Sequence, residues 1–357
     1  VTRPKPEVGG HPKGLYILFF AEMWERFSYY GMRALLIFYL TKHWLFSDSD
    51  AGIIYGAYTA LVYITPVVGG YLADKYLGQR KAVLFGAVLL TLGHFFMAFE
   101  GDPAAGTENN PIVYVFWLAL ALIIVGSGFL KANISVIVGQ LYPRTDTRRD
   151  AAYTIFYMGI NLGAAIGSLL CGYIGETYGW AYGFGLAGIG MLAGLVVFVW
   201  GKPLLLGRGE PPKQLAKKTG WSMYGVGIAL VGVCWLAIQY QDRVGYVLGL
   251  FGGSLVLYVL FTAVVKLPSE ERDRIFAAMF LILTSIVFWA LFEQAGSSLN
   301  LFTDRHVDRG GVPASTFQSI NAIYIILLAP VFAVTWQTLG RKGMEPSAPL
   351  KFGLGVV

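Results

Sequence analysis

Six ionisable residues stand in stretches of the chain that are otherwise apolar: Glu22, Glu25, Arg26, Arg33, Lys131 and Glu293. Their charges sum to zero. At roughly 2.5–3.5 kcal/mol per charge near a bilayer centre, six unpaired groups would cost about 15–20 kcal/mol, so they must pair or line a wet cavity. Pairing between helices is one use for such a set. The other is recognition of a solute carrying both charges, because Arg presents a planar fork to a carboxylate, Lys a point charge, and Glu an acceptor for an ammonium group or a proton. A carboxyl group gains proton affinity when desolvated and loses it beside a cation, so opening or closing a cavity around these residues switches protonation. A solute carboxylate competing for Arg26 or Lys131 would free a glutamate from its pair, and this competition is the expected route of coupling.

The spacing tells which elements must hold them. Glu22, Glu25 and Arg26, Tyr29 and Tyr30, then Arg33 recur every three to four residues, which lines them along one face of a helix. Around them the composition is that of a membrane protein: 56% hydrophobic, 13% charged, mean hydropathy +0.59, against about 25% charged in soluble domains. Apolar runs between charged or Gly/Pro-rich breaks predict spans over 14–41, 51–73, 81–99, 111–139, 150–175 and 180–200, then 221–240, 245–265, 274–302 and 314–338. The expected fold class is all-α, a polytopic membrane helix bundle. Its expected units are a six-helix bundle over 1–200, a linker with two further helices over 201–273, and the first part of a second bundle over 274–357.

Lys and Arg set the orientation, since cytoplasmic loops carry their excess. The N-terminus, with Arg3, Lys5 and Lys13, falls on the same side as the connections holding Arg80, Lys81, Arg148, Lys202 and Lys213, among others. That side carries 20 of the 27 basic residues; the other has four (Lys42, Arg243, Arg305 and Arg309), and three lie inside spans. The expected location is the inner (plasma) membrane, multi-pass, with the N-terminus and central linker cytoplasmic and the first span inserted without cleavage, there being no signal-peptide pattern. The net charge of +6 follows this insertion rule rather than forming a basic patch, which argues against a nucleic-acid partner.

Several motifs then carry a resemblance. Glu22-Met23-Trp24-Glu25-Arg26, followed by Tyr29, Tyr30 and Gly31, resembles the ExxER signature of proton-dependent oligopeptide transporters, a branch of the major facilitator superfamily, in its bacterial form. Gly70 to Asp74 with Gly78, Arg80 and Lys81 is similar to the superfamily's loop between helices two and three. The segments Gly128 to Asn133, Phe156 to Gly163, Phe288 to Gln294 and Phe317 to Asn321 resemble the family's helices four, five, seven and eight. The resemblance implies two six-helix halves with two peripheral helices between them, here 221–240 and 245–265. It implies that Arg26, Tyr30, Lys131 and Asn161 hold the carboxyl end and backbone of a peptide, that Tyr29, Tyr63 and Trp289 shape pockets, and that Asn321 lies nearer the amino end. Glu22, Glu25 and Glu293 are implied in proton coupling together with Arg26, and Arg33 is the implied partner of Glu293. Protons are the expected coupling ion, with no other cofactor; di- and tripeptides, protons and the lipid bilayer are the expected partners, and a monomer the working unit. A family member has four further helices, including a helix-ten glutamate for the peptide's amino terminus; the apolar run reached at Val357 leads us to expect that the chain is incomplete.

Other signals point elsewhere. Gly183-Phe184-Gly185-Leu186-Ala187-Gly188 fits GxGxxG but has no strand before it, so helix packing is expected, as for Gly163/Gly167 and Gly190/Gly194. Cys171 and Cys234 read as apolar fillers, and the four histidines lack metal spacing. Asp74, Arg80 and Lys81 serve either as solvated orientation signals or as contacts between helix ends. Competing readings are a carrier of another small solute such as nitrate or a metabolite, a non-transporting peptide receptor, and an intramembrane enzyme; for the last neither GxSxG nor HExxH is present.

Overall fold

The computed structural model describes residues 7–102, 110–212 and 217–356; Arg3, Lys5, Lys213 and Val357 lie outside them. Nine helices among the described residues are long and apolar enough to cross a membrane. To these is added α1 (Lys13–Phe38), 26 residues long and set apart by Glu22, Glu25, Arg26 and Arg33. The next five helices are α2 (Asp48–Leu72), α3 (Gln79–Met97), α4 (Pro111–Gln140), α5 (Arg149–Tyr178) and α6 (Trp180–Trp200). Their starts are written in the sequence. Ser47 caps α2, its hydroxyl accepting from the Asp50 amide at 3.1 Å, and Asn110 caps α4 ahead of Pro111, accepting from the Ile112 amide at 3.1 Å. Such side chains satisfy amides the helix itself leaves unpaired.

Helix α1 lies at the centre, packed along α5 and α6, while α4 packs on α3 and α2. The largest fully buried side chains include Phe38 and Tyr39 at the end of α1, Tyr58 of α2, Phe129 of α4 and Phe184 of α6. Without water to drive helices together, close backbone approach supplies much of the attraction. At the α1–α5 crossing, Gly163 and Gly167 lie against the carbonyl oxygens of Met23 and Phe27, leaving no room for a Cβ. Gly190 and Gly194 of α6 receive Phe27 and Trp24 in the same way, and Gly183 abuts Leu35 and Gly175. All five glycines therefore pack helices.

Helices α7 (Lys217–Gln239) and α8 (Gln241–Lys266) follow; α7 docks on α4, while α8 lies outside α2 and α7. Next comes α9 (Ser269–Phe292), which opens on the charged run Glu270 to Arg274, continues as an apolar stretch from Ile275, and has no buried residue. The single span expected over 274–302 is broken. A 3-10 turn over Glu293–Gly296 leads through Ser297 into the short α10 (Ser298–His306). Gln294 to Ser298 carries no apolar periodicity and little helix preference, and contacts to α1 and α2 hold the break: Gly296 lies against the Tyr55 hydroxyl and Asn300 Nδ2 donates to the Ala34 carbonyl at 3.2 Å. A second 3-10 turn, Ala314–Gln318, precedes α11 (Ser319–Arg341), which packs on α5; α12 (Ala348–Val356) ends the described chain.

Two further features were not legible in the hydropathy. A small hairpin pairs β1 (Glu7–Val8) with β2 (His11–Pro12). Arg148, between α4 and α5, clamps it by donating to the Gly10 carbonyl at 2.6 Å and to Glu7 at 3.2 Å, while His11 Nδ1 lies 2.8 Å from the Tyr142 hydroxyl. Burial pushes the Tyr142 phenol up to about 12, so it keeps its proton for that bond. The second feature is the linker over 201–212. Arg80 pairs with Glu210 at 2.7 Å, its amide donates to the Gly209 carbonyl at 2.9 Å, and the Gly209 amide donates to Gln140 at 2.8 Å. Asp74 accepts from Gln79 at 2.8 Å, whereas Lys81 is exposed. Asp74 and Arg80 are thus contacts between helix ends, and Lys81 is a solvated charge.

Candidate functional site

The face of α1 expected to be polar is turned inward. Glu22, Glu25, Arg26, Tyr29 and Arg33 are all buried, with Tyr30 partly so. Arg26 Nε stands 2.7 Å from Glu22 Oε1 and 3.0 Å from Glu25 Oε2, so two carboxylates share one guanidinium nitrogen. Oxygens remain over: Glu22 Oε2 and Glu25 Oε1 have no hydrogen-bond donor among the described residues, and Glu25 Oε2 meets Arg26 as an ion pair without a hydrogen bond. A buried acceptor without a donor is costly, and the cluster therefore has places where a proton or an ammonium group would satisfy an oxygen.

Lys131 of α4 brings the fourth charge. Its ammonium lies 4.4 Å above the centroid of the Tyr63 ring on α2, and no carboxylate is within ion-pair distance of it among the described residues. Together Glu22, Glu25, Arg26 and Lys131 are neutral, with the cation left over on α4 and the anion on α1.

A second cluster lies two turns further along α1. Arg33 Nη2 bonds Glu293 at the break after α9, and Arg33 Nε donates to the Tyr55 hydroxyl at 2.5 Å. The rings of Tyr30 and Tyr55 flank the guanidinium, each centroid 5.8 Å away. The Tyr63 hydroxyl is 3.4 Å from the other Glu293 oxygen. Tyr63 therefore touches both clusters, Lys131 with its ring and Glu293 with its hydroxyl. Tyr29 is edge-on to Tyr30 at 5.2 Å.

The remaining expected residues sit around this core. Asn161 of α5 is buried and donates to the Tyr157 carbonyl at 3.1 Å. Its helix runs against α1, but no bond joins it to Arg26 or Lys131 among those present in the described residues. Trp289, one turn before Glu293 on α9, is exposed and packs edge-on to Phe288 and Phe292. Asn321, in the first turn of α11, is exposed; the next residue, Ala322, packs with Ala164 and Ala165 beside Tyr30. The structure thus joins Glu22, Glu25 and Arg26 in one cluster and Arg33, Glu293 and Tyr63 in another. Tyr55 was not anticipated, although Tyr55, Tyr58 and Tyr63 follow helical spacing along an apolar run, a signal that marks a hydroxyl-bearing face.

Further pairs join the segment running from α1 to α6 with α10 and with the turn over Ala314–Gln318. Arg305 holds Asp48 with two bonds of 2.5 and 2.8 Å, and Lys42 reaches Asp304 at 2.8 Å. Ser315 donates its amide to Glu176 at 2.7 Å. The Arg33–Glu293 pair lies inward of these and is the more buried.

Comparison with known proteins agrees with this architecture. The family model described as "PTR2: POT family" matches residues 80–357. "Peptide transporter YePEPT" of Yersinia enterocolitica is 36% identical over 378 residues, covering 98% of this chain and 72% of that protein. The "Di-/tripeptide transporter" of Lactococcus lactis is 33% identical over 377 residues, covering 98% and 73%. A crystal structure of peptide transporter POT in complex with sulfate superposes with a TM-score of 0.81 at 38% identity, covering 99% of this chain and 73% of that one. The chain thus spans nearly three quarters of the length of these relatives. By sequence and by fold, it belongs to the POT family.

Proposed function

We propose that the protein is a proton-coupled symporter that imports di- and tripeptides by alternating access. The observation that carries this reading is the charge layout around Arg26: a cation on Lys131 without an ion-pair partner stands beside carboxylate oxygens without donors, a complement to a zwitterion. A peptide carboxylate fits between Arg26 and Lys131, with Tyr30 and Asn161 beside it, while Tyr29, Tyr63, Trp289 and Asn321 shape the rest of the pocket. Its arrival would draw Arg26 away from Glu22 and Glu25, and a proton on either glutamate then replaces the lost bond. Glu293, the carboxylate that ties α9 to α1 through Arg33, is the second proton site: protonated, it releases that contact. Rocking of one half against the other around a midplane site completes the cycle. The protein works as a monomer, and it sits in the inner membrane with its N-terminus cytoplasmic, an orientation supported by the distribution of Lys and Arg. It is not an enzyme, and protons are its only coupling agent.

Uptake of labelled dialanine into liposomes, with and without an inward proton gradient and with unlabelled tripeptide as competitor, tests the reading. Gradient-driven, competable accumulation is the expected result. Failure to accumulate in folded protein would favour another solute, such as nitrate or a metabolite, and retained peptide binding without uptake would favour a receptor.

A further inference from the structure

Arg33 is gripped from two sides at once. Glu293 takes one terminal nitrogen, and the Tyr55 hydroxyl accepts from Nε at 2.5 Å. Tyr55 is itself buried, 3% exposed, and its hydroxyl occupies the space left by the absent side chain of Gly296. The two partners differ in kind. Glu293 sits at the break between α9 and α10 and can be neutralised by one proton; Tyr55 is on α2, within the first six helices, and a phenol does not release its bond at physiological pH.

We propose that Tyr55 is a positioning residue for proton coupling: it retains Arg33 on α2 when a proton neutralises Glu293, so that only the contact between α1 and α9 breaks. This rests on the proposed role of Glu293. The step adds one proton to the Glu293 carboxylate, giving a neutral carboxylic acid, while Arg33 keeps its charge throughout. The other titratable groups facing the pair are Tyr29 and Tyr30 from α1, Tyr58 and Tyr63 from α2, and Lys131 from α4. Of these only Lys131 is charged. With Glu293 neutral, the buried guanidinium has no counter-ion beside it, and the phenol dipole and the two ring faces are what remain to solvate it. A dipole bond is worth more to an uncompensated charge than to one already paired. The hydroxyl of Tyr55 therefore favours the protonated, released state over the paired one.

The test is a pH titration of the protein in liposomes by infrared spectroscopy, following the protonated-carboxyl stretch that disappears in Glu293→Gln. In Tyr55→Phe, which keeps the ring, the midpoint is expected about one pH unit lower than in the wild type, a tenfold change in the equilibrium. In an Arg33→Gln background the same substitution should leave the midpoint where it is. A midpoint that is unmoved or raised in Tyr55→Phe, or lowered equally in both backgrounds, overturns the proposal, because a purely structural hydroxyl would act without Arg33. Should Tyr55→Phe not fold, Gly296→Ala crowds the same hydroxyl and must lower the midpoint likewise; no shift there also overturns it. The titration needs no solute, so it stays readable in a protein that carries something other than peptides.

Discussion

The ammonium of Lys131 sits 4.4 Å from the centroid of the Tyr63 ring, and its charge is met by that aromatic face instead of a carboxylate. A cation held this way is oriented yet still available to a ligand, because a ring face attracts it by only about 0.5–2 kcal/mol. Lys131→Ala should therefore weaken binding and transport together. A charge-assisted bond to a carboxylate is worth about 1.5–3 kcal/mol, so dipeptide affinity is expected to fall roughly ten- to hundredfold. Calorimetric titration of the purified protein checks this, and an unchanged Kd would remove Lys131 from the carboxylate site.

Glu22 and Glu25 share one nitrogen of Arg26. Replacing either with Gln keeps the side-chain shape but removes the proton acceptor. Proton-driven uptake should drop more than peptide exchange in Glu22→Gln and in Glu25→Gln, compared side by side in the same liposomes. Full gradient-driven accumulation in both variants would sink the coupling role.

Two glycine substitutions should act in opposite directions. Gly167 faces the Phe27 carbonyl with no space for a methyl group, whereas nothing lies within 4 Å of the Cβ position of Gly225 in α7. Gly167→Ala is expected to lower the unfolding temperature in detergent, overpacking costing about 1–3 kcal/mol. Gly225→Ala is expected to raise it slightly through helix propensity. Equal effects would mean that the α1–α5 contact is looser than the structure has it.

Arg148 is the clamp on the N-terminal hairpin, and its guanidinium is held charged by the hydrogen bonds it donates to Asp146 and Glu7. Arg148→Ala should free residues 7–12, seen as faster amide hydrogen exchange over that segment while α4 and α5 keep their protection. No change in exchange would show that the His11–Tyr142 contact suffices.

Much of this was legible in the sequence because lipid makes composition strict. Apolar runs locate the spans, and a charge inside such a run has to face the interior, which placed Glu22, Glu25, Arg26 and Arg33 on the buried side of α1 before any packing was known. The one span that misled, 274–302, did so because the polar stretch Glu293 to Ser298 lies between two apolar runs and reads as part of one helix, whereas the backbone breaks there.

What the sequence determined by itself is therefore local and periodic: which segments are apolar enough to cross the membrane, which face of α1 is polar, and which glycines admit close helices. What only the tertiary structure decided is who meets whom. Arg26 serves two carboxylates, Lys131 lies on Tyr63 rather than on an acid, and Arg33 is shared between Glu293, 260 residues away, and Tyr55. Pairing across helices depends on their rotation and depth, which glycine contacts and helix breaks set through the whole bundle, and no periodicity within one helix encodes that.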